Sequence, residues 1–138
     1  MNNNWNLERL KRQAIGNQKF DDYILNESQI LKYNNLEVLD IGCSNGFKTK
    51  LLFDKYTNIK HITGIDIDEN AINEAKVNFK NNDRYTFEVK SIDSLDNKNK
   101  YDIIYLSYVL QHLENPKEVL KNLRSKLSDK GIIIIKVP

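Results

Sequence analysis

The chain has 138 residues, the size of one ordinary domain, and at that length it can bury a core without disulfides or metals. Apolar residues make up 40% and charged residues 29%, no apolar run reaches the length of a membrane span, and the opening MNNNWNLERLKRQ lacks a secretory apolar stretch. One cysteine, two histidines and a formal charge of +2 argue against an internal disulfide, a bound metal and tight nucleic-acid binding, and a cytoplasmic address is the expectation.

Leu7, Leu10 and Ala14 share a helical face that stops at Gly16-Asn17, and Phe20, Tyr23, Ile24, Ile30 and Leu31 make a second. Two short helices are therefore expected to open the chain. From Leu36 the period changes to short apolar runs separated by amphipathic segments. Strands are expected at EVLDI (37–41), HITGID (61–66), YTFEV (85–89), YDIIYLS (101–107) and GIIIIKV (131–137). Several are apolar at consecutive positions, as strands covered on both faces are, which favours a parallel sheet. Between them, Phe47, Leu51 and Leu52 line one helix; Ala71, Ile72, Ala75 and Phe79 line another, with Asp68 as its N-cap. Asn115-Pro116-Lys117-Glu118 supplies an N-cap, an N1 proline and a capping-box glutamate ahead of the stripe Val119, Leu120, Leu123, Leu127. Asp129-Lys130-Gly131 then turns the chain back into the fifth strand.

In an open parallel sheet, ligands sit beyond the carboxyl ends of the strands. There the first strand runs into VLDIGCSNG, where Gly42 and Gly46 let the backbone turn tightly and approach a ligand, presenting amides at the start of the next helix. Asp66 ends the second strand, and Asp68 is better placed to cap the following helix, which frees Asp66 to accept both hydroxyls of an adenosine ribose. Dinucleotide and adenosyl-sulfonium sites both want such a carboxylate. Glycine spacing separates them: the dinucleotide fingerprint needs a glycine-type residue at position 47, which is Phe47. An NAD-dependent oxidoreductase is thereby the weaker alternative.

These residues resemble the class I S-adenosylmethionine-dependent methyltransferases. VLDIGCSNG looks like their first motif, with Ser44 at the place of the usual middle glycine. The resemblance runs in family order through GIDID (64–68), KSIDSL (90–95), YDIIYLSYVLQHL (101–113) and LSDKGIIIIKVP (127–138). It implies a three-layer Rossmann-like α/β sandwich with a parallel five-stranded sheet of order 3-2-1-4-5 and helices on both faces. Residues 1–35 would be an N-terminal helical cap and 36–138 the core of one S-adenosylmethionine-binding domain.

The resemblance also implies site residues. The loop Gly42, Cys43, Ser44 and Gly46 would line S-adenosylmethionine, with Asp40 and the Gly42 backbone holding the methionine ammonium and Asp66 the ribose. Ile67 and Ile92 would sandwich the adenine. Ser91 stands where the family often has an aspartate near the adenine edge, with Asp93 as substitute. Leu106 and Ser107 would lie beside the sulfonium, and Cys43 would be a small packing residue rather than a reactive thiol. His112 falls where relatives often place a histidine near the substrate, and imidazole suits general base work.

The implied activity is transfer of the sulfonium methyl, by in-line displacement, to an unidentified acceptor that is a small molecule, protein or RNA, with S-adenosylhomocysteine as product. A non-catalytic methyltransferase-like cofactor-binding or partner module is the alternative. Family helices corresponding to the N-terminal segment often act as lids, for which Trp5 and Tyr23 are candidates, while Leu7, Leu10 and Phe20 are expected to cover a sheet face. The sequence stops at Pro138, before the C-terminal antiparallel hairpin that the resemblance implies; the expectation is either a C-terminally truncated core segment of a longer protein or an apolar edge at Ile132 to Val137 open to self-association or partner pairing.

Overall fold

The computed structural model describes residues 4–96 and 98–137, without the side chains of residues 4–7, 10, 11 and 13–17. Five strands, β1 (Leu36–Ile41), β2 (Ile59–Asp66), β3 (Tyr85–Val89), β4 (Tyr101–Ser107) and β5 (Leu127–Lys136), form one sheet of order β3-β2-β1-β4-β5. Every neighbouring pair is parallel. Four helices, α1 (Asn4–Glu27), α2 (Phe47–Phe53), α3 (Glu69–Asn78) and α4 (Pro116–Arg124), complete the architecture.

Alternation along the strands divides the core into two layers. Val38, Ile62, Ile103 and Tyr105 pack with Leu25 of α1, Phe53 of α2 and Ile72 and Ala75 of α3. Leu39, Ile41, Ile65, Ile104 and Leu106 pack on the opposite face with Leu123 of α4, Ile92 and Leu95. The side chains of β4 are buried along its whole length, as a central strand with both faces covered requires.

The caps form as their sequences dictate. Asp68 accepts from the Ala71 amide at 3.1 Å and starts α3. Asn115 caps α4 by accepting from the Glu118 amide at 3.3 Å, with Pro116 at the first helical position; the Glu118 side chain accepts from the Asn115 side-chain amide, not from its backbone N–H as the expected capping box requires.

The opening segment differs from expectation. A single 24-residue helix runs straight through Gly16-Asn17, followed by one helical turn at Ile30–Lys32. A glycine inside a helix costs only about 1 kcal/mol, less than packing of the face can return. The buried face is also turned: Asp21 and Leu25 face the core, while Phe20 and Tyr23 are about 60% exposed. Asp21 goes inward because it has partners there. The Tyr105 hydroxyl donates to its Oδ2 at 3.1 Å, and the Lys136 ammonium lies 3.0 Å from its Oδ1. Leu7, Leu10, Ala14 and the Trp5 side chain lie outside the described residues. Phe47, expected to line its helix, stands 36% exposed, and Thr49, Leu52 and Phe53 take the inner face.

Strand β5 begins earlier than its apolar run. Leu127 pairs with Tyr101 and Ile132 with Ile103, so residues 128–131 bulge from the register. Asp102, 5% exposed, ties this bulge to the sheet. It accepts from the Glu37 amide at 2.8 Å and from the Ser128 hydroxyl at 2.5 Å, and Lys130 lies at 3.2 Å. Burial alone would raise its carboxyl pKa; those three partners outweigh burial and hold it below the usual value. Among the described residues no helix is long and apolar enough to cross a membrane.

Because the folded-state pKa of Asp102 is depressed, its contribution is present above the unfolded-state value and is lost as pH falls through the folded one. Asp102→Asn is expected to lower unfolding free energy at neutral pH by roughly 1–3 kcal/mol. That difference shrinks as the pH falls below about 4. Urea titrations of both proteins across pH measure it, and a pH-independent gap would refute the charge-based account.

Candidate functional site

The connection from β1 to β2 passes over one face through α2, and that from β4 to β5 over the other through α4. The crevice of the fold therefore opens between the carboxyl ends of β1 and β4. Asp40, next to last in β1, pairs in register with Gly64 of β2 and Tyr105 of β4 and is wholly buried. The Thr49 hydroxyl donates to Asp40 Oδ2 at 2.6 Å. Among the described residues Asp40 Oδ1 has no hydrogen-bond partner. Burial pushes the Asp40 carboxyl up, the Lys48 ammonium and the Thr49 hydroxyl oppose that rise, and the charges of Asp66 and Asp21 add to it. One oxygen of a buried carboxylate is thus left without a donor among the described residues.

The loop after β1 is built from left-handed residues: Gly42 at φ 76°, Ser44 at 53° and Gly46 at 84°. A Cβ at Gly42 would stand 2.7 Å from Val109 Cγ2, and one at Gly46 would stand 2.8 Å from the rings of Phe79 and Phe87. Both glycines are required by backbone conformation and by neighbours. Ser44, where the resemblance puts a third glycine, adopts the same conformation and is held by donation of its amide to Asp66 Oδ2 at 2.8 Å.

Several amides of the loop are taken up within the protein. Those of Gly42 and Cys43 donate to the Ile65 carbonyl, that of Gly46 to the Cys43 carbonyl, and that of Phe47 to Asn45 Oδ1. The Cys43 side chain is buried in the first core layer, and burial, with Asp40 and Asp66 nearby, pushes its thiol pKa up, which suits packing rather than reactivity.

Asp66 ends β2 and is partly exposed. It accepts from the Ser44 amide through Oδ2 and from the Asp68 amide through Oδ1 at 2.9 Å. Two amides therefore fix its orientation, and each oxygen keeps further acceptor capacity. Ile67 beside it is 79% exposed, an unusual position for an isoleucine. Ile92 and Asp93 line a cavity of about 270 Å³ with Leu95, Val119 and Leu123, and Ile67 is not part of that lining. Ser91 caps the helical turn Ile92–Ser94 by accepting from the Asp93 amide at 3.2 Å.

At the tip of β4, Leu106 is wholly buried in the second core layer, so only its main chain is left for a ligand. Ser107 lies on the face of Tyr105. Its hydroxyl forms no hydrogen bond of sound geometry, although it sits close enough to the Tyr105 phenol to oppose the upward push that burial gives that group. Tyr108 follows at φ 59°, its amide donating to the Lys136 carbonyl at 2.9 Å. His112 closes the turn Leu110–His112 and is exposed. His61, by contrast, sits within β2 and bonds Thr86 Oγ1 at 2.9 Å.

The structure thus gathers Asp40, Gly42, Ser44, Gly46 and Asp66 at neighbouring strand tips, with Ser107 one strand away. Sequence reasoning missed Thr49, Lys48 and Asp21. Thr49 and Lys48 follow the glycine loop by one helical turn, the place from which a side chain reaches back over the strand tip. Asp21 gave a signal only as a polar residue on the stripe Ala14, Asp21, Leu25.

Comparison with known proteins fits this geometry. The family model described as a methyltransferase domain matches residues 32–138, and the chain belongs to that family. It is 32% identical over 104 residues to the ubiquinone biosynthesis O-methyltransferase of Rickettsia bellii, covering 74% of this chain and 42% of that protein. It is 33% identical over 102 residues to the malonyl-[acyl-carrier protein] O-methyltransferase of Bacillus cereus, covering 72% and 36%. A plantazolicin methyltransferase solved in complex with SAH matches with a TM-score of 0.75 at 26% identity, covering 96% of this chain and 49% of that one. The chain spans less than half the length of each of these three.

Thr49→Val strips Asp40 of its only hydrogen bond and should destabilise the fold by roughly 1–3 kcal/mol. The same substitution in an Asp40→Asn background should cost less, because the charge it serves has gone. Additive losses in a double-mutant cycle would show that Thr49 only packs.

Proposed function

We propose that the strand tips bind S-adenosylmethionine and that the chain is the cofactor-binding part of a methyltransferase. The observation that supports this reading is the fully buried Asp40 with an oxygen that no group among the described residues satisfies. A carboxylate in that state is a receptor for a cationic donor, and the methionine ammonium is one. In this reading the Gly42 carbonyl accepts a second ammonium proton. Asp66, already oriented by two amides, accepts the ribose hydroxyls with its remaining lone pairs. Ile67 and Ile92 cover the adenine, and Ser91 and Asp93 stand at its edge. Ser107 and the main chain of Leu106 flank the sulfonium.

When bound, the cofactor supplies a methyl group already activated for displacement. The chain then has to hold the acceptor in line with it, and such positioning can remove about 7–11 kcal/mol of barrier. His112 serves as general base where the acceptor arrives protonated. The methyltransferase names of the relatives support the reaction class. The acceptor belongs to the whole protein, with an oxygen acceptor favoured by the O-methyltransferases above. Residues 1–35 act as a helical cap on the 36–138 core in one domain, and the protein works in the cytoplasm. The outer edge of β5, where Ile135 and Val137 are exposed, pairs with a further strand from a second copy or a partner.

Two measurements test this. Calorimetry with S-adenosylhomocysteine should show binding that Asp66→Ala weakens by roughly 1–3 kcal/mol; unchanged affinity would remove Asp66 from the ribose. Sedimentation should show concentration-dependent association that Ile135→Lys abolishes. A monomer at all concentrations would rule out self-pairing.

A further inference from the structure

Two opposite charges stand beside the glycine loop without pairing to each other. Lys48, in the first turn of α2, is the strongest favourable charge acting on Asp40. It is half-buried, and its ammonium lies 5.7 Å from the centre of the Tyr105 ring. No carboxylate among the described residues comes within ion-pair distance of it. The other lysines nearby are committed. Lys136 pairs with Asp21 and Lys55 with Asp22, while Lys50 lies over the Phe79 ring on the side of α3.

An ammonium that has only an aromatic ring nearby keeps its N–H donors for an anion, since the ring accepts none of them strongly. Beside it Asp40 keeps an oxygen for a cation. An α-amino acid carries its ammonium and carboxylate on one carbon, so its receptors must stand close together without touching. Asp40 and Lys48 meet that requirement.

We infer that Lys48 binds the carboxylate of the cofactor's methionyl end, so that Asp40 and Lys48 together read a zwitterion. This rests on the cofactor reading above and adds to it a residue outside the resemblance's motif. The arrangement selects against ligands that present only one of the two charges. A ligand without the carboxylate would leave Lys48 facing Asp40 and the incoming ammonium, a like-charge contact; a ligand without the ammonium would leave the buried Asp40 oxygen unsatisfied.

The test compares three ligands by calorimetry: S-adenosylhomocysteine, its decarboxylated analogue, and 5′-methylthioadenosine, which lacks the amino-acid end. Lys48→Met should weaken S-adenosylhomocysteine roughly 10- to 100-fold, the range for a charge-assisted hydrogen bond. 5′-Methylthioadenosine should bind Lys48→Met as it binds the unsubstituted chain, which also establishes that the variant is folded, and the decarboxylated analogue should bind the variant more tightly, because the like-charge contact has gone. Lys48→Arg should restore most of the loss. Equal weakening of all three ligands would make Lys48 a structural residue, and an unchanged preference for the carboxylate would assign that anion elsewhere; either overturns this inference and leaves the cofactor reading standing. Failure of the unsubstituted chain to bind any of the three would overturn both.

Discussion

The molecule is organised around a carboxylate placed where burial is most expensive. Asp40 sits at the middle of the sheet, between β2 and β4, with no exposed surface and one of its two oxygens unsatisfied. Desolvating an ionised carboxylate without full hydrogen bonding costs several kcal/mol. A sequence selected for stability alone would put an aliphatic residue there, as it does at Leu39 and Ile41 on either side. The fold tolerates Asp40 because Thr49 reaches back from α2 and Lys48 adds an opposing charge. Both depend on the sharp turn between β1 and α2. The left-handed loop is thus what brings α2 close enough to make the buried carboxylate bearable.

A second buried charge extends the same logic to the ends of the described chain. Asp21 on α1 meets Lys136 at the end of β5 and the Tyr105 hydroxyl of β4, so one carboxylate joins the first helix to the last two strands. Replacing a buried ion pair with apolar side chains is often neutral or stabilising. Its contribution here is to geometry: it fixes which face of α1 turns inward and sets that helix beside the tips of β4 and β5. The Tyr105 ring also lies beside Lys48, whose ammonium is 5.7 Å from its centre.

What the sequence disclosed and what it hid divide along locality. The five strands, the Asp68 and Asn115 caps and the glycine loop are specified by neighbouring residues, through period, capping chemistry and missing side chains, and they are where the motifs put them. The inward face of α1 was hidden because Asp21 is buried by partners 84 and 115 residues away, which no local pattern encodes. The direction of the loop amides was hidden for the same reason. Glycines announce that a backbone can approach a ligand, but whether its N–H groups are free depends on what β2 offers, and here the Ile65 carbonyl takes two of them. The early start of β5 was hidden because its bulge is held by Asp102, on another strand.

The Ser44 to Asp66 hydrogen bond ties these strands of argument together. A non-glycine residue at positive φ costs about 1–3 kcal/mol, and the loop has one where the family resemblance would put a glycine. The Asp66 carboxylate offsets that cost by accepting the Ser44 amide, and it is fixed in turn by the Asp68 amide, which belongs to the N-cap of α3. Loop, carboxylate and helix start form one chain of contacts across β1 and β2. In the proposed site, one carboxylate would therefore stand at the ribose and fix the loop beside the methionyl end.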